Sequence, residues 1–513
     1  MASTFHGIET AKRSLFTQQT ALNTVGHNIS NANTAGYTRQ RVSMSAATPM
    51  EPYGFSHSTA AGQLGSGVEA SSINRIRTAF LDDQYRSESK YQGSWQIQAE
   101  TLDKLEKVIN EPSDTGIRTL MEKFWSSWSD LSKDPENITN RQIVRQTAVA
   151  LTDSFNQLSR QLTDLDADLT GSADTKATQA SSLLSSIADL NGQIKRMEGL
   201  GDNANDLRDR RDLLTDELSK LVNVTVTETD DGYVINMGNM SLVDGTAAET
   251  LTGAALEAAY QGGDLSGGEI HGTFKSRDTN VRGLLSKLDQ LANTLANGEF
   301  QVTVPKGSVL PGTTVPLAAD TVMTVQGING LHKLGYTLQQ PATAGLDFFT
   351  FDAAGGAAGI TAGSIRLNPA ISADSNLIAS SMRTTTDAAG VSTVVKGNNT
   401  LALLLGEAKD KAFTMDLTST GGAVSSATIG SYYNAIVGQV GVQSQEAKRQ
   451  YANATAMVDQ ANSSRQSVSG VSTDEEMSDM IKFQNAYNAA ARFMTTMDEL
   501  LEKLINGTGQ VGR

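Results

Sequence analysis

Apolar residues recur at alternating spacings of three and four at both ends of this 513-residue chain. Near the C-terminus the repeat runs through Met480, Phe483, Tyr487, Ala490, Met494, Met497, Leu501 and Leu504. Near the N-terminus it runs through Ile8, Ala11, Leu15, Gln18, Leu22, Val25 and Ile29, where Gln18 is one polar interruption. Such a repeat places a narrow apolar stripe along one side of an α-helix, as in the seam of a coiled coil.

Residues at the ends of both segments support this interpretation. Ser472 or Thr473, followed by three acidic residues, indicates a helix start, because a hydroxyl caps free N–H groups and acids suit the positive end of the helix dipole. Asn506–Gly507 indicates the matching stop. The N-terminal helix is expected to end within 28–33, before a strand-like alternation over 37–44.

Neither helix can bury its stripe alone, because an isolated helix of this length is only marginally stable in water. Fixing about 30 backbone residues costs on the order of 30–60 kcal/mol of conformational entropy, so the compensating burial has to come from partners. The two helices can pair antiparallel, and such a pair still exposes apolar surface to neighbouring copies. We therefore expect ends that are disordered in the monomer and ordered in an assembly. The alternative is a two-helix hairpin that caps a globular core.

Composition and charge argue against several classes of protein. The net charge is −15 and the sequence has no block rich in Lys and Arg, which argues against nucleic-acid binding. No run of about 18 apolar residues is present, so no membrane span is expected. The chain has no cysteine, which fits export and refolding without thiol chemistry, and its N-terminus lacks the pattern of a cleavable signal peptide.

No motif indicates catalysis or metal binding, so we predict no catalytic residue, no cofactor and no metal. The sequence lacks HExxH, GxSxG and GxxxxGK[ST]. None of the histidines has a His or Cys partner at zinc spacing, and they are His6, His27, His57, His271 and His332. We expect structural roles for His27 and His332. The charged run over 206–212 is interpreted as ordinary ion pairs on a solvated helix face, Asp206 with Arg210 and Arg208 with Asp212.

Hydrophobic spacing changes along the interior of the chain. Helical periodicity dominates the first part, over 78–170, 183–198 and 204–222. After Leu221 the composition shifts to Gly, Thr and Ala, with a hairpin signal at 222–232 and strand-like runs at 301–304, 321–326 and 347–351. A helix is expected at 281–297, and the helical pattern resumes from Ser431.

Several segments resemble the axial proteins of the bacterial flagellum, the rod, hook and hook-associated proteins. Residues 22–37, LNTVGHNISNANTAGY, are similar to the N-terminal motif of that family. Residues 469–477 and 481–492 are similar to the C-terminal motif of the members at the hook–filament junction, and 205–219 is similar to one of their internal helices. The likeness is weakest between about 222 and 430, and 299–328 reads as an insertion.

The resemblance implies a structural subunit without enzymatic activity. It implies uncleaved export through the flagellar type III apparatus and assembly outside the cell, as a secreted part of the motility organelle. It further implies a helical ring of about eleven copies. The hook protein would lie on one side and hook-associated protein 3 on the other, and an export chaperone would bind before assembly. The expected assembly interface consists of Ile8, Leu15, Leu22, Val25, Ile29, Met480, Phe483, Tyr487, Met494, Met497, Leu501 and Leu504.

Together these patterns predict an α+β multidomain fold with discontinuous terminal coiled-coil helices, an elongated helical bundle and an inserted β-rich outer domain. The predicted terminal domain, which would form the inner tube, comprises 1–60 and 465–513. The predicted bundle comprises 61–222 and 428–464, with helix 281–297, and the β-rich domain comprises 223–427. Two other functions stay open: a surface adhesin whose β-rich domain is the binding module, or an enzyme housed in that domain.

Overall fold

The structure, a computed structural model, describes residues 5–49, 65–114, 116–352, 359–386, 391–415 and 425–507. It has the predicted α+β class, with long helices at both ends and small antiparallel sheets between them. The chain divides into two compact units. Unit 1 comprises Met1–Ser94, Asp174–His271 and Ala452–Arg513, and unit 2 comprises Trp95–Ala173 and Gly272–Tyr451. The boundaries of the three predicted domains stay a prediction.

Long helices dominate the two ends of the chain, and short helices and strands alternate in its middle. The helices are α1 (His6–Ser30), α2 (Ala79–Ile109), α3 (Ile117–Lys133), α4 (Ile138–Glu198), α5 (Asn205–Leu221), α6 (Gly253–Gly262), α7 (Gly268–Lys275), α8 (Arg282–Asn297), α9 (Gly327–Lys333), α10 (Pro369–Ala373), α11 (Thr400–Glu407), α12 (Ile429–Ser469) and α13 (Thr473–Gly507). The strands are β1 (Gln40–Ala46), β2 (Val68–Arg75), β3 (Thr225–Thr229), β4 (Gly232–Met237), β5 (Met240–Asp244), β6 (Ala247–Ala248), β7 (Glu299–Val304), β8 (Thr321–Gln326), β9 (Phe349–Phe351), β10 (Ile365–Leu367), β11 (Thr384–Thr386), β12 (Ser392–Val394), β13 (Phe413–Met415) and β14 (Ser425–Ala427).

The expected local elements are present. The hairpin signal after Leu221 forms β3 and β4, the helix expected at 281–297 is α8, and β7 pairs antiparallel with β8 inside the expected insertion. The last part of the helical pattern predicted over 78–170 and the separate helix predicted over 183–198 form one 61-residue helix, α4. Large apolar residues are absent between them, but the buried alanines Ala173, Ala177 and Ala180 continue the helical spacing.

Unit 1 contains the helix pair α1 and α13 and two antiparallel sheets. β1 pairs with β2, with a register shift between Ser43 and Met44, and β3 to β6 form a four-stranded sheet in sequence order. In β4 alternate side chains are buried, at Tyr233, Ile235 and Met237. This alternation is the period-2 pattern of a strand that covers a core on one face.

Unit 2 is built around a continuous apolar core. Phe124 and Trp128 of α3 pack with Phe348, with ring centroids 6.0 Å and 5.4 Å from it, and Phe349 lies 5.0 Å from Phe348. Side chains of α4, α8, α9 and α11 complete this core. Arg141 is a charged residue buried in this unit: its guanidinium donates to the carbonyl oxygens of Pro135 and Ile378, and burial lowers its pKa to about 10.

Candidate assembly interface

The two terminal stripes meet in an antiparallel helix pair in unit 1. At one end, Gly7 of α1 packs so closely on Met497 of α13 that a Cβ atom on Gly7 would lie 2.7 Å from the Met497 sulfur. At the other end, Nδ2 of Asn28 donates to Oε2 of Glu476 over 3.0 Å. The start of α1 therefore lies beside the end of α13. The antiparallel pairing expected from the sequence is confirmed.

The pair covers its stripes only in part. Val25 and Ala490 are buried, whereas Tyr487 is 37% exposed and Leu504 is 51% exposed. The other expected interface residues are half-buried, and they are Ile8, Leu15, Leu22, Ile29, Met480, Phe483, Met494, Met497 and Leu501. The structure thus brings the predicted residues into one contact and leaves most of them accessible. Their role in assembly stays a prediction.

Further apolar side chains on the same two helices are exposed and were missed by sequence reasoning. Phe16 of α1 is 60% exposed, and Phe493 and Leu500 of α13 lie beside the predicted stripe with more than a third of their surface accessible. The spacing of seven between Phe493 and Leu500 was the available signal, because residues seven apart share one side of a helix. The apolar surface of the pair is therefore wider than one seam.

Asn28 joins the end of α1 to the start of both β1 and α13. Its side-chain oxygen accepts hydrogen bonds from the Gln40 backbone N–H (3.0 Å) and the Tyr37 hydroxyl (2.8 Å). Its amide nitrogen donates to the Gln40 carbonyl (2.9 Å) and to Glu476. Because Asn28 is buried and all its hydrogen-bonding capacity is used, it fixes the register of these elements.

A cluster of charges continues from Asn28 along the start of α13. Arg39 donates from Nε to the buried Glu476 (2.6 Å) and from Nη1 to Glu475 (2.7 Å), and its Nη2 lies 3.6 Å from Asp479. A buried carboxylate such as Glu476 needs this paired cation, because removing a charge from water is costly. The acidic helix start predicted at 474–476 therefore also anchors the strand β1.

The charged run on α5 is exposed at Asp206 and Arg210, as predicted, but buried at Asp209, Arg211 and Asp212, where the prediction of a solvated face was wrong. Arg75 donates to both Asp209 and Asp212 over 2.8 Å. Arg86 donates to Asp216 over 2.8 Å, and Arg465 contacts the same carboxylate. Helical spacing indicates which residues share a face of α5, but it does not show that residues from β2, α2 and α12 cover that face.

The neighbours of Asp212 keep it charged despite its burial. Burial by itself raises the pKa of this carboxyl, but the Arg77 guanidinium and the adjacent arginines outweigh that effect and lower the pKa to about 2. The predicted partner of Asp212, Arg208, donates instead to Glu198 (2.6 Å) and to Glu228 (3.0 Å). The cluster stabilises the junction of four chain segments and contains no arrangement suggestive of catalysis.

The described histidines occupy structural positions. Nδ1 of His27 lies 3.0 Å from the Tyr37 hydroxyl, and the buried His332 accepts a hydrogen bond from the Ala379 N–H over 2.8 Å. His57 lies outside the described residues. Within the described ranges, no group of three or more His, Cys, Asp or Glu residues could hold a metal ion. Among the helices described, none is long and apolar enough to cross a membrane.

Comparisons with known proteins match both ends and the middle of the chain. The family model "Flagella basal body rod protein" matches residues 8–38, and "Flagellar basal body rod FlgEFG protein C-terminal" matches 463–507. "Flagellar hook-associated protein FlgK helical domain" matches 102–299. Flagellar hook-associated protein 1 of Bacillus subtilis is 33% identical over the full length of both chains. The chain belongs to the flagellar hook-associated protein 1 family.

More distant members of the hook-associated protein 1 family agree. The Salmonella typhimurium protein is 28% identical, with 97% of this chain and 99% of that protein covered. The flagellar hook junction protein FlgK from Burkholderia pseudomallei has a similar fold, with a TM-score of 0.51 and 15% identity over 75% of this chain and 100% of that one.

Membership of the hook-associated protein 1 family confirms the resemblance seen in the sequence. It also confirms the predicted structural, non-enzymatic role in the flagellum between hook and filament. The matches of α1 and α13 to models of rod proteins support self-assembly within the axial structure. None of these relatives is described as an adhesin.

Proposed function

We propose that many copies of this chain assemble, outside the cell, into a ring at the hook–filament junction through the helix pair α1 and α13. The observation that carries the proposal is the half-exposed seam of that pair. Fully burying one Leu, Met or Phe side chain stabilises a contact by about 1.5–3 kcal/mol. Neighbouring copies that cover the remaining exposed surface gain part of this energy at each position along the seam.

The arrangement suits an assembly in which each copy contacts its neighbours in the same way. The helix pair exposes one set of apolar residues on α1, at Phe16, and another on α13, at Phe493 and Leu500. Contacts between unlike surfaces generate rings or helical tubes rather than closed dimers. We propose a helical ring of about eleven copies, as the resemblance implies.

The partners follow from the position of such a ring. We assign the hook protein to its cell-proximal side and hook-associated protein 3 to its distal side. Before assembly, an export chaperone would cover the exposed seam while the chain waits for the type III apparatus. The absence of cysteine and the net charge of −15 support a chain that stays soluble and free of disulfides on this route.

The test is deletion of the gene in its own host, followed by complementation. Electron microscopy of the deletion strain should show hooks without filaments, and the intact chain should restore filaments and swimming. A chain that ends before Thr473 lacks α13 and should not restore them, and immunoblots of the medium check that it is exported. Normal filaments in the deletion strain would refute the proposed function.

A further inference from the structure

A large cavity lies in unit 1 beside the start of α13. Its volume is about 710 Å³, and α1, β1 and the first turns of α13 form its walls. The apolar part of its lining includes Val25, Val42 and Phe483. Ligand pockets typically span roughly 300–1,000 Å³, so this cavity has room for several side chains of an incoming segment. Two of its lining residues, Val25 and Phe483, belong to the predicted interface.

The charged residues at this cavity favour an acidic occupant. Three cations line it, Arg39, Arg41 and Lys482, against the carboxylates of Glu476 and Asp479. Both carboxylates already have partners, since Arg39 binds Glu476 and Lys482 lies 2.9 Å from Asp479. Among the residues that the structure describes, no carboxylate pairs with Arg41. An occupant that brings apolar side chains and one carboxylate would match this lining.

The end of α13 has this composition. Ile505 is 66% exposed, the most of any large apolar side chain on α13 within the described residues, and Leu500 is 55% exposed. Asp498 and Glu502 precede Ile505 by seven and three residues and share its side of the helix. Because Met497 already lies beside Gly7, near the start of α1, the later residues of α13 extend past α1.

The geometry points to an end-to-side contact between copies: the last turns of α13 of one copy insert into the cavity of a second copy. Ile505 would enter its apolar part, and Glu502, on the same side of α13, would pair with Arg41. This inference rests on the proposed function and identifies the partner surfaces. The contact joins unlike surfaces, so it propagates from copy to copy.

The separation of the two surfaces predicts the stagger between neighbours. The cavity adjoins residues near position 480 of α13 and the inserting segment is centred near position 502. At a rise of 1.5 Å per residue, these points lie about 33 Å apart along the helix. Neighbouring copies joined by this contact are therefore offset by about 33 Å along the direction of α13.

Site-directed cross-linking tests the contact directly, because the chain has no natural cysteine. Met44 lines the cavity and is exposed, so Met44→Cys combined with Ile505→Cys should give a ladder of cross-linked oligomers in isolated hook–filament junctions. The two positions are too far apart to join within one copy. The matched control replaces the cysteine at position 505 by Val442→Cys, which lies on α12 in unit 2, is 69% exposed against 66% for Ile505, and should give no ladder. No ladder from the first pair in assembled junctions would overturn the inference.

Charge reversal provides a second, independent readout. Arg41→Glu should lower the number of filaments per cell at least about tenfold, because the new carboxylate would face Glu502. Adding Glu502→Arg should restore the number to within about twofold by re-forming the pair in reverse. Lys133→Glu, at an exposed site in unit 2, is the control that should leave filaments unchanged. Normal filaments with Arg41→Glu would refute this contact and leave the proposed function intact, whereas normal filaments after gene deletion would refute both.

Discussion

The core of unit 2 and the helix pair of unit 1 bury their apolar side chains to different extents. Phe124, Trp128 and Phe348 in the core of unit 2 have essentially no accessible surface, whereas Tyr487 and Leu504 in the pair are exposed and Phe483 is half-buried. Both sets of residues are large and apolar. The difference teaches that the core of unit 2 is covered within one chain, whereas the helix pair leaves apolar surface uncovered, which further copies would bury under the proposed function.

A matched pair of truncations should show this difference most strongly. Phe124→Ala removes a fully buried ring and should destabilise unit 2 by about 3–5 kcal/mol, through lost burial and the cavity left behind. Phe483→Ala removes the same side chain from the half-buried seam and should cost the monomer roughly 1 kcal/mol or less. Urea unfolding of the two purified variants measures both values. Equal losses would mean that the helix pair is already a complete core.

The second prediction uses pH to probe the core of unit 2 through His332. The Nε2 atom of His332 accepts a hydrogen bond from the Ala379 N–H. Burial lowers the pKa of His332 to about 4; the charge of Arg141 also lowers this pKa, whereas the charge of Asp347 raises it. The folded state stays neutral while the unfolded chain takes up a proton below about pH 6.5. The neutral His332 therefore costs no stability above pH 6.5. Below that pH it lowers the free energy of unfolding progressively, by about 3 kcal/mol at pH 4.

The window between pH 6.5 and 5 isolates this histidine from the carboxylates, most of which titrate lower. Unfolding free energies of the intact chain and of His332→Gln, measured across that window, should differ in slope, and the variant should be nearly flat. The same slope in both chains would contradict a neutral, buried His332.

The sequence predicted features that depend on local spacing. The terminal stripes, the hairpin of β3 and β4 and helix α8 each have a period that one segment shows by itself. Burial by distant segments could not be predicted in the same way. Asp209 and Asp212 look like surface residues of α5, and only the fold shows that Arg75 covers them. The sequence shows that Asn28 belongs to the N-terminal motif, but only the structure shows that its side chain donates a hydrogen bond to Glu476, which is 448 residues away in the chain.

Hydrogen exchange should resolve the same contrast residue by residue. In the monomer we expect little protection over 1–30 and 478–505, because the helix pair leaves much of its apolar surface uncovered and opens locally. The helices of the unit 2 core, α3 and α8, should exchange slowly, with opening free energies near that of global unfolding. Mass spectrometry of peptides from a verified monomer measures this. Strong protection of both termini would support the alternative of a finished two-helix hairpin.

The smallest effect on stability, with the largest effect on assembly, is expected for Leu501→Asp. Leu501 is half-buried on the seam of α13, so its loss should change the unfolding free energy of the monomer by less than about 1 kcal/mol. In an assembly that covers the seam, the new carboxylate would be buried without a partner, which is strongly unfavourable. The variant should therefore be exported and folded but absent from filament bases.

Asn488→Asp is the matched control, because it places the same side chain on α13 at an exposed position outside both the seam and the inserting segment. It should be incorporated normally if the seam, rather than the added charge, decides assembly. Electron microscopy with a labelled subunit, and unfolding of both purified variants, separate the two effects. Incorporation of Leu501→Asp would mean that this side of α13 stays in contact with water in the assembled ring, and the seam would then have to lie on the side that carries Phe493 and Leu500.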